Sequence, residues 1–125
     1  MKEIQSDKVP NAVGPYSQAV KVNGFVFCSG QIGLNPETNQ FAGESVEEQT
    51  EQILKNLREL LKAASATFAD VVRCDIFLTN ISDFAKVNEI YSKFFPLDPK
   101  PARQTVEVSN LPKGALIEIS CIASI

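Results

Sequence analysis

The sequence predicts an α+β fold: one mostly antiparallel sheet with two helices on one of its faces. Three observations lead there. Asn23-Gly24 joins YSQAVKV to FVFCSGQIG, which is the favoured two-residue turn between two strands. Two stretches, at about 46–64 and 83–95, repeat their apolar residues with a helical period. The remaining apolar runs are short and strand-like, so the order reads β(short)–β–β–α–β–α–β–β. A chain of 125 residues, 44% hydrophobic and 22% charged, makes one soluble domain, residues 1–125, with a core of ordinary size.

Taken in order, residues 2–6 read as a short edge strand. Residues 7–15 are loop, punctuated by Pro10, Asn11, Gly14 and Pro15. The Asn-Gly turn sets the pairs Val22 with Phe25, Val20 with Phe27, Gln18 with Ser29 and Tyr16 with Gln31. That face is apolar near the turn and polar at its far end. Gly30 and Gly33 allow another backbone or a ligand to come close.

Ser45 and Glu48 form a capping box at the start of the first helix. Val46, Ile53, Leu54, Leu57, Leu60, Leu61 and Ala64 are its core stripe. DVVRCDIFLT at 70–79 is a largely buried strand. Asn80 or Ser82 caps the second helix. Its inner stripe is Phe84, Val87, Ile90, Tyr91 and Phe94 or Phe95, and Pro96 and Pro99 end it.

The last two strands, 103–108 and 115–125, are expected to form an antiparallel hairpin. A symmetric register sets Thr105 opposite Glu118 and Arg103 opposite Ser120. A cation, a hydroxyl and a carboxylate then share one sheet face.

Charge and composition remove several function classes. A net charge of −3 without a basic stripe gives no general attraction to nucleic acid or anionic membranes. No stretch approaches a membrane span, and MKEIQSDKVP lacks an apolar targeting core. The cytoplasm is the expected compartment, with an organelle lumen left open. The three cysteines, Cys28, Cys74 and Cys121, are odd in number and show no C-x-x-C spacing. They read as reduced, buried small hydrophobes.

Histidine is absent, which removes Ser-His-Asp and Cys-His pairs and H-E-x-x-H zinc sites. Chemistry falls to carboxylates, Arg, Tyr, Ser/Thr, backbone groups and water, and no metal or cofactor is called for.

Arg103, delivered by the stiff Phe95–Pro101 segment, suits bidentate binding of a carboxylate or phosphate. The bland alternative is a surface ion pair with Asp98 or Glu107. Glu118 interrupts an apolar strand, where a carboxylate needs a partner, a cavity or partial exposure. Tyr16 is a lid or plain packing, and Ser29-Gly30 a hydroxyl-and-amide contact or a β-bulge. Asn88 on its own reads as surface. Val20, Val22, Phe25 and Phe27 make the sheet face away from the helices too apolar to stay wet, so a homo-oligomer is expected.

Three motifs resemble one family: N-A-V-G-P-Y-S-Q-A at 11–19, C-S-G-Q-I-G at 28–33, and P-A-R-Q-T-V-E-V-S-N-L-P-K-G-A-L-I-E-I at 101–119. Together, and over essentially the whole chain, the sequence resembles the Rid (YjgF-type) reactive intermediate deaminases. The resemblance implies a chorismate mutase-like α+β fold. It also implies a homotrimer whose sheets close an inner barrel, with a pocket at each subunit interface.

The implied reaction hydrolyses 2-imino acids, or their enamine tautomers, to 2-keto acids and ammonia without a cofactor. Such intermediates come from dehydratases acting on serine or threonine. Carried onto this chain, Arg103 holds the substrate carboxylate and Glu118 positions a water. Tyr16, Ser29, Gly30, Asn88 and Thr105 line the pocket. Many relatives carry Cys where this chain has Thr105, so a covalent thiol mechanism at that position does not apply here. Two other classes stay in view: a non-catalytic binder or sensor of small 2-keto acids, and a ribonuclease or translation inhibitor. The acidic balance and the lack of histidine weigh against the latter.

Overall fold

The computed structural model describes residues 1–125. Its strands are β1 (Lys2–Ile4), β2 (Ala19–Val22), β3 (Phe25–Gln31), β4 (Val71–Leu78), β5 (Ala102–Glu107) and β6 (Ile117–Ser124). The helices are α1 (Val46–Ala63) and α2 (Phe84–Phe94). The six strands form one sheet in the order β1-β2-β3-β6-β4-β5. Only the β4–β5 pair is parallel. Both helices cover the same face, and the core lies between them and that face.

The Asn-Gly turn behaves as expected. Asn23 and Gly24 take φ of 51° and 79°, as a twist-matched two-residue hairpin turn requires. Val22 pairs with Phe25 and Val20 with Phe27. The ladder ends at Ala19 and Cys28, earlier than expected, so Tyr16 does not pair with Gln31. β3 carries one extra residue between Cys28 and Gln31, a bulge opposite β6. The bulge turns Gln31 onto the helix-covered face, opposite Ile119, and leaves Gly30 exposed.

Gln18 is buried, and its amide is spent on the N-terminal loop. Its nitrogen donates to the carbonyls of Ser6, Val9 and Pro10, and its oxygen accepts from the Ser6 amide.

α1 begins on the expected capping box. Ser45 Oγ accepts from the Glu48 amide at 3.1 Å, and the Glu48 side chain accepts from the Ser45 amide at 3.4 Å. Ile53, Leu54, Leu57, Leu60 and Leu61 are all fully buried against the sheet. Ser45→Ala is expected to cost about 1 kcal/mol, seen as a lower urea midpoint at unchanged slope.

The expected terminal hairpin does not form. β6 inserts between β3 and β4, antiparallel to both, and β5 lies at the sheet edge, parallel to β4. Two physical reasons favour this. β4, α2 and β5 make a strand–helix–strand unit, whose helical crossover returns the chain parallel to its start. β6 buries Ile117, Ile119, Cys121 and Ala123 nearly completely, as a central strand should, whereas no residue of β5 is fully buried.

The consequence for the site is direct. Thr105 stands opposite Ile76, and Glu118 opposite Phe77, the neighbouring residue of the same strand. Successive residues point to opposite faces. Arg103 and Thr105 therefore lie on the helix-covered face, and Glu118 and Ser120 on the open one.

The open face keeps the apolar character read from the sequence. Phe25 and Phe27 are 42% and 41% exposed, with ring centroids 6.2 Å apart. The three cysteines are free and buried, with Cys121 paired to Cys28 on one side and Cys74 on the other.

Candidate functional site

The candidate residues gather in two groups. The first sits between edge strand β5 and helix α2. Phe84, Asn88 and Tyr91 are spaced four and three residues apart, so they form one stripe along α2. The Arg103 guanidinium lies on that stripe, 5.3 Å from the Phe84 ring centre and 4.9 Å from that of Tyr91. Both distances are within the range of cation–π attraction.

No carboxylate forms an ion pair with Arg103. The two candidates considered from sequence are occupied elsewhere. Asp98 pairs with Lys100 at 3.3 Å, and Glu107 accepts a hydrogen bond from the Ile81 amide at 2.9 Å. The guanidinium is therefore held by ring faces while its N–H donors stay free.

Two buried hydroxyls lie beside it: Thr105 Oγ1 has no partner, and Tyr91 Oη has only the adjoining Cys74 thiol. Buried groups of this kind are costly and uncommon. Burial, aided by the adjoining Cys74 thiol, pushes the Tyr91 phenol far above its ordinary value. Burial also pushes the Cys74 thiol up to about 11. Both stay neutral at pH 7, so nothing anionic offsets Arg103 from within this group.

The second group lies at the β3 bulge and on the open face. A Cβ added to Gly30 would stand 2.7 Å from Glu118 Oε2, so glycine is what lets the carboxylate lie against this backbone. Glu118 has no ion-pair partner, and burial raises its pKa above the ordinary 4.5. Ser29 Oγ donates to the Ser17 carbonyl at 2.7 Å, so its proton is committed and only its lone pairs face outward. Tyr16 is half-exposed, and its hydroxyl accepts from the Val13 amide at 3.3 Å. A cavity of about 230 Å³ joins Tyr16 and Gly30 with Asn11 and Lys113.

The structure thus brings Arg103, Thr105 and Asn88 together, and separately Glu118, Gly30, Ser29 and Tyr16. It does not bring the two groups together within one chain. β4 stands between β5 and β6, and the key side chains point from opposite faces of the sheet. A larger cavity, about 830 Å³ and lined by Arg58, Phe68, Phe94 and Pro101 among others, contains none of the candidate residues.

Sequence reading missed the part played by Phe84 and Tyr91, which looked like core stripe. Their four-and-three spacing around Asn88 was the available signal. Lys113 gave no signal at all; it enters the cavity from a turn where it adopts a φ of 58°.

The family model described as Endoribonuclease L-PSP matches residues 6–125. The chain belongs to this family, the Rid (YjgF-type) proteins. Among its relatives is a protein of Arabidopsis thaliana named Reactive Intermediate Deaminase A, chloroplastic. The two are 54% identical over 122 residues, which is 98% of this chain but only 65% of that longer protein.

Solved structures agree with the fold. RidA from the Antarctic bacterium Psychrobacter superposes with a TM-score of 0.96 at 44% identity, covering 100% of both chains. E. coli TdcF, solved with bound serine, gives a TM-score of 0.94 at 35% identity, covering 100% of this chain and 99% of the other. The Rid fold is thus that of the whole chain. No helix is long and apolar enough to cross a membrane.

Proposed function

We propose that this Rid protein hydrolyses small 2-imino acids, or their enamine tautomers, to 2-keto acids and ammonia. The observation that carries the reading is Arg103: a guanidinium fixed on ring faces, with no carboxylate partner, beside an unpartnered buried Thr105 hydroxyl. This is a receptor for a small carboxylate. The relative named for deaminating reactive intermediates supports the reaction class. TdcF supports the ligand class, since serine carries the same carboxylate.

In this account Arg103 grips the carboxylate and Asn88 and Thr105 line its surroundings. Glu118 takes a proton from water as the oxygen attacks the C=N carbon. That proton passes to nitrogen to give the carbinolamine; the hydroxyl proton then moves to nitrogen as well, the C–N bond breaks, and ammonia leaves as the C=O forms. Backbone groups at Ser29–Gln31 contact the nitrogen, and Tyr16 covers the pocket. The imine is already electrophilic, so orientation supplies most of the acceleration. The substrates proposed are 2-iminobutanoate and 2-iminopropanoate. No metal or cofactor is invoked, and the cytoplasm is the proposed compartment.

The division of the site supports a homotrimer with the pocket between subunits. One copy's Arg103 group meets the next copy's Glu118 group, and the exposed Phe25–Phe27 face turns inward. A threonine dehydratase assay tests the reaction: this protein should speed the appearance of 2-ketobutyrate and ammonia beyond spontaneous hydrolysis. Unchanged rates at excess protein would refute it, and tight 2-ketobutyrate binding without turnover would favour a sensor.

The family description names an endoribonuclease, and RNA cleavage is the second reading. A net charge of −3 and the absence of histidine weigh against it. RNase activity that co-purifies with the protein and is lost in Arg103→Ala would restore it.

A further inference from the structure

We propose that Phe84 and Tyr91 are positioning residues, which hold Arg103 ready for an anion by stacking instead of by an ion pair. The inference rests on the reading that Arg103 binds the ligand's carboxylate. A long, flexible side chain at a sheet edge loses much rotamer freedom when it is fixed. A protein can offset that cost with a neighbouring carboxylate, but the carboxylate then competes with the incoming anion. Here the guanidinium lies 4.9 Å and 5.3 Å from two ring centres, with no acidic partner. Ring faces orient the planar cation and leave its charge and N–H donors available.

The two rings divide the task. Tyr91 is buried and stacks on Phe95, with ring centroids 4.5 Å apart, so its position is fixed by the core. Phe84 opens the helix and is 38% exposed, so it can be changed with little effect on folding. The Tyr91 hydroxyl has only the Cys74 thiol beside it, and it is the ring that lies 4.9 Å from the Arg103 guanidinium.

A double-mutant cycle on Phe84 and Arg103 tests this, read by calorimetric titration with 2-ketobutyrate and by KM and kcat in the dehydratase-coupled assay. Phe84→Leu should weaken 2-ketobutyrate binding about fivefold to tenfold, with KM rising in step and kcat little changed. In an Arg103→Lys background the same change should have much less effect, because an ammonium does not stack as a planar fork does. Tyr91→Phe, which keeps the ring, should bind within about twofold of wild type, and Tyr91→Leu should resemble Phe84→Leu.

Equal losses from Phe84→Leu in the Arg103 and Lys backgrounds would overturn the proposal, as would wild-type binding by Phe84→Leu. Ligand binding that follows the cycle without imine turnover would refute the deaminase reading and leave the positioning role standing. Turnover with binding indifferent to both rings would do the reverse.

Discussion

Arg103→Ala is expected to lose the acceleration of 2-keto acid release while keeping its fold and assembly. On the proposed reading the change removes a charge-assisted contact to the substrate carboxylate, at about 1.5–3 kcal/mol, or about 10- to 150-fold in kcat/KM. Little else depends on the side chain, which forms no ion pair and rests on two rings that stay in place without it. Size-exclusion elution and thermal midpoint should therefore match wild type. Arg103→Lys should fall between the two, since it keeps the charge and loses the bidentate fork. Wild-type turnover by Arg103→Ala would remove the site assignment.

Glu118→Gln is expected to have the larger effect on kcat, about 100-fold or more, as for the loss of a positioned general base. It should also change stability in a pH-dependent way. Burial raises the Glu118 pKa in the folded chain, so the protonated form is the one the fold prefers. Its stabilising contribution is complete below the unfolded value and is lost as pH rises through the folded value. At pH 7 the wild-type carboxylate is thus a liability that glutamine removes. The thermal midpoint of Glu118→Gln should exceed wild type at pH 7, with the difference shrinking as pH falls toward 4.5. A variant that is less stable at pH 7, or equally active, would contradict this role.

Local signals were legible wherever the deciding residues are neighbours in the chain. Asn23-Gly24 fixed a register because both turn residues must take positive φ. Ser45 and Glu48 marked the start of α1 because each satisfies the other's backbone amide. The last two strands were read wrongly for the opposite reason. Nothing between Val108 and Ala115 reveals that β4, some thirty residues earlier, takes a neighbour on each side. The burial contrast was present: the inward positions of β6, Ile117, Ile119, Cys121 and Ala123, are all apolar, whereas those of β5 include Arg103 and Thr105.

Arg103, Thr105 and Glu118 stood out by residue type and spacing and the resemblance implied the other members of the candidate site, but their arrangement was not legible. Arg103 and Glu118 lie 15 positions apart in the chain and on opposite faces of the sheet. Phe84 and Tyr91 were hidden because aromatic residues at helical spacing most often pack a core, and Tyr91 does that as well. Only the placement of β5 beside α2 shows that a cation uses the same rings.

In the proposed assembly each active pocket takes Arg103 from one subunit and Glu118 from another. Subunit mixing tests it most directly. Arg103→Ala and Glu118→Gln proteins, each strongly impaired alone, are unfolded together at equal concentration, refolded, and assayed with the dehydratase. Random assembly leaves about one pocket in four with both native residues, so about a quarter of wild-type activity should return. A mixture as inactive as its parents, in particles shown to contain both variants, would contradict the account.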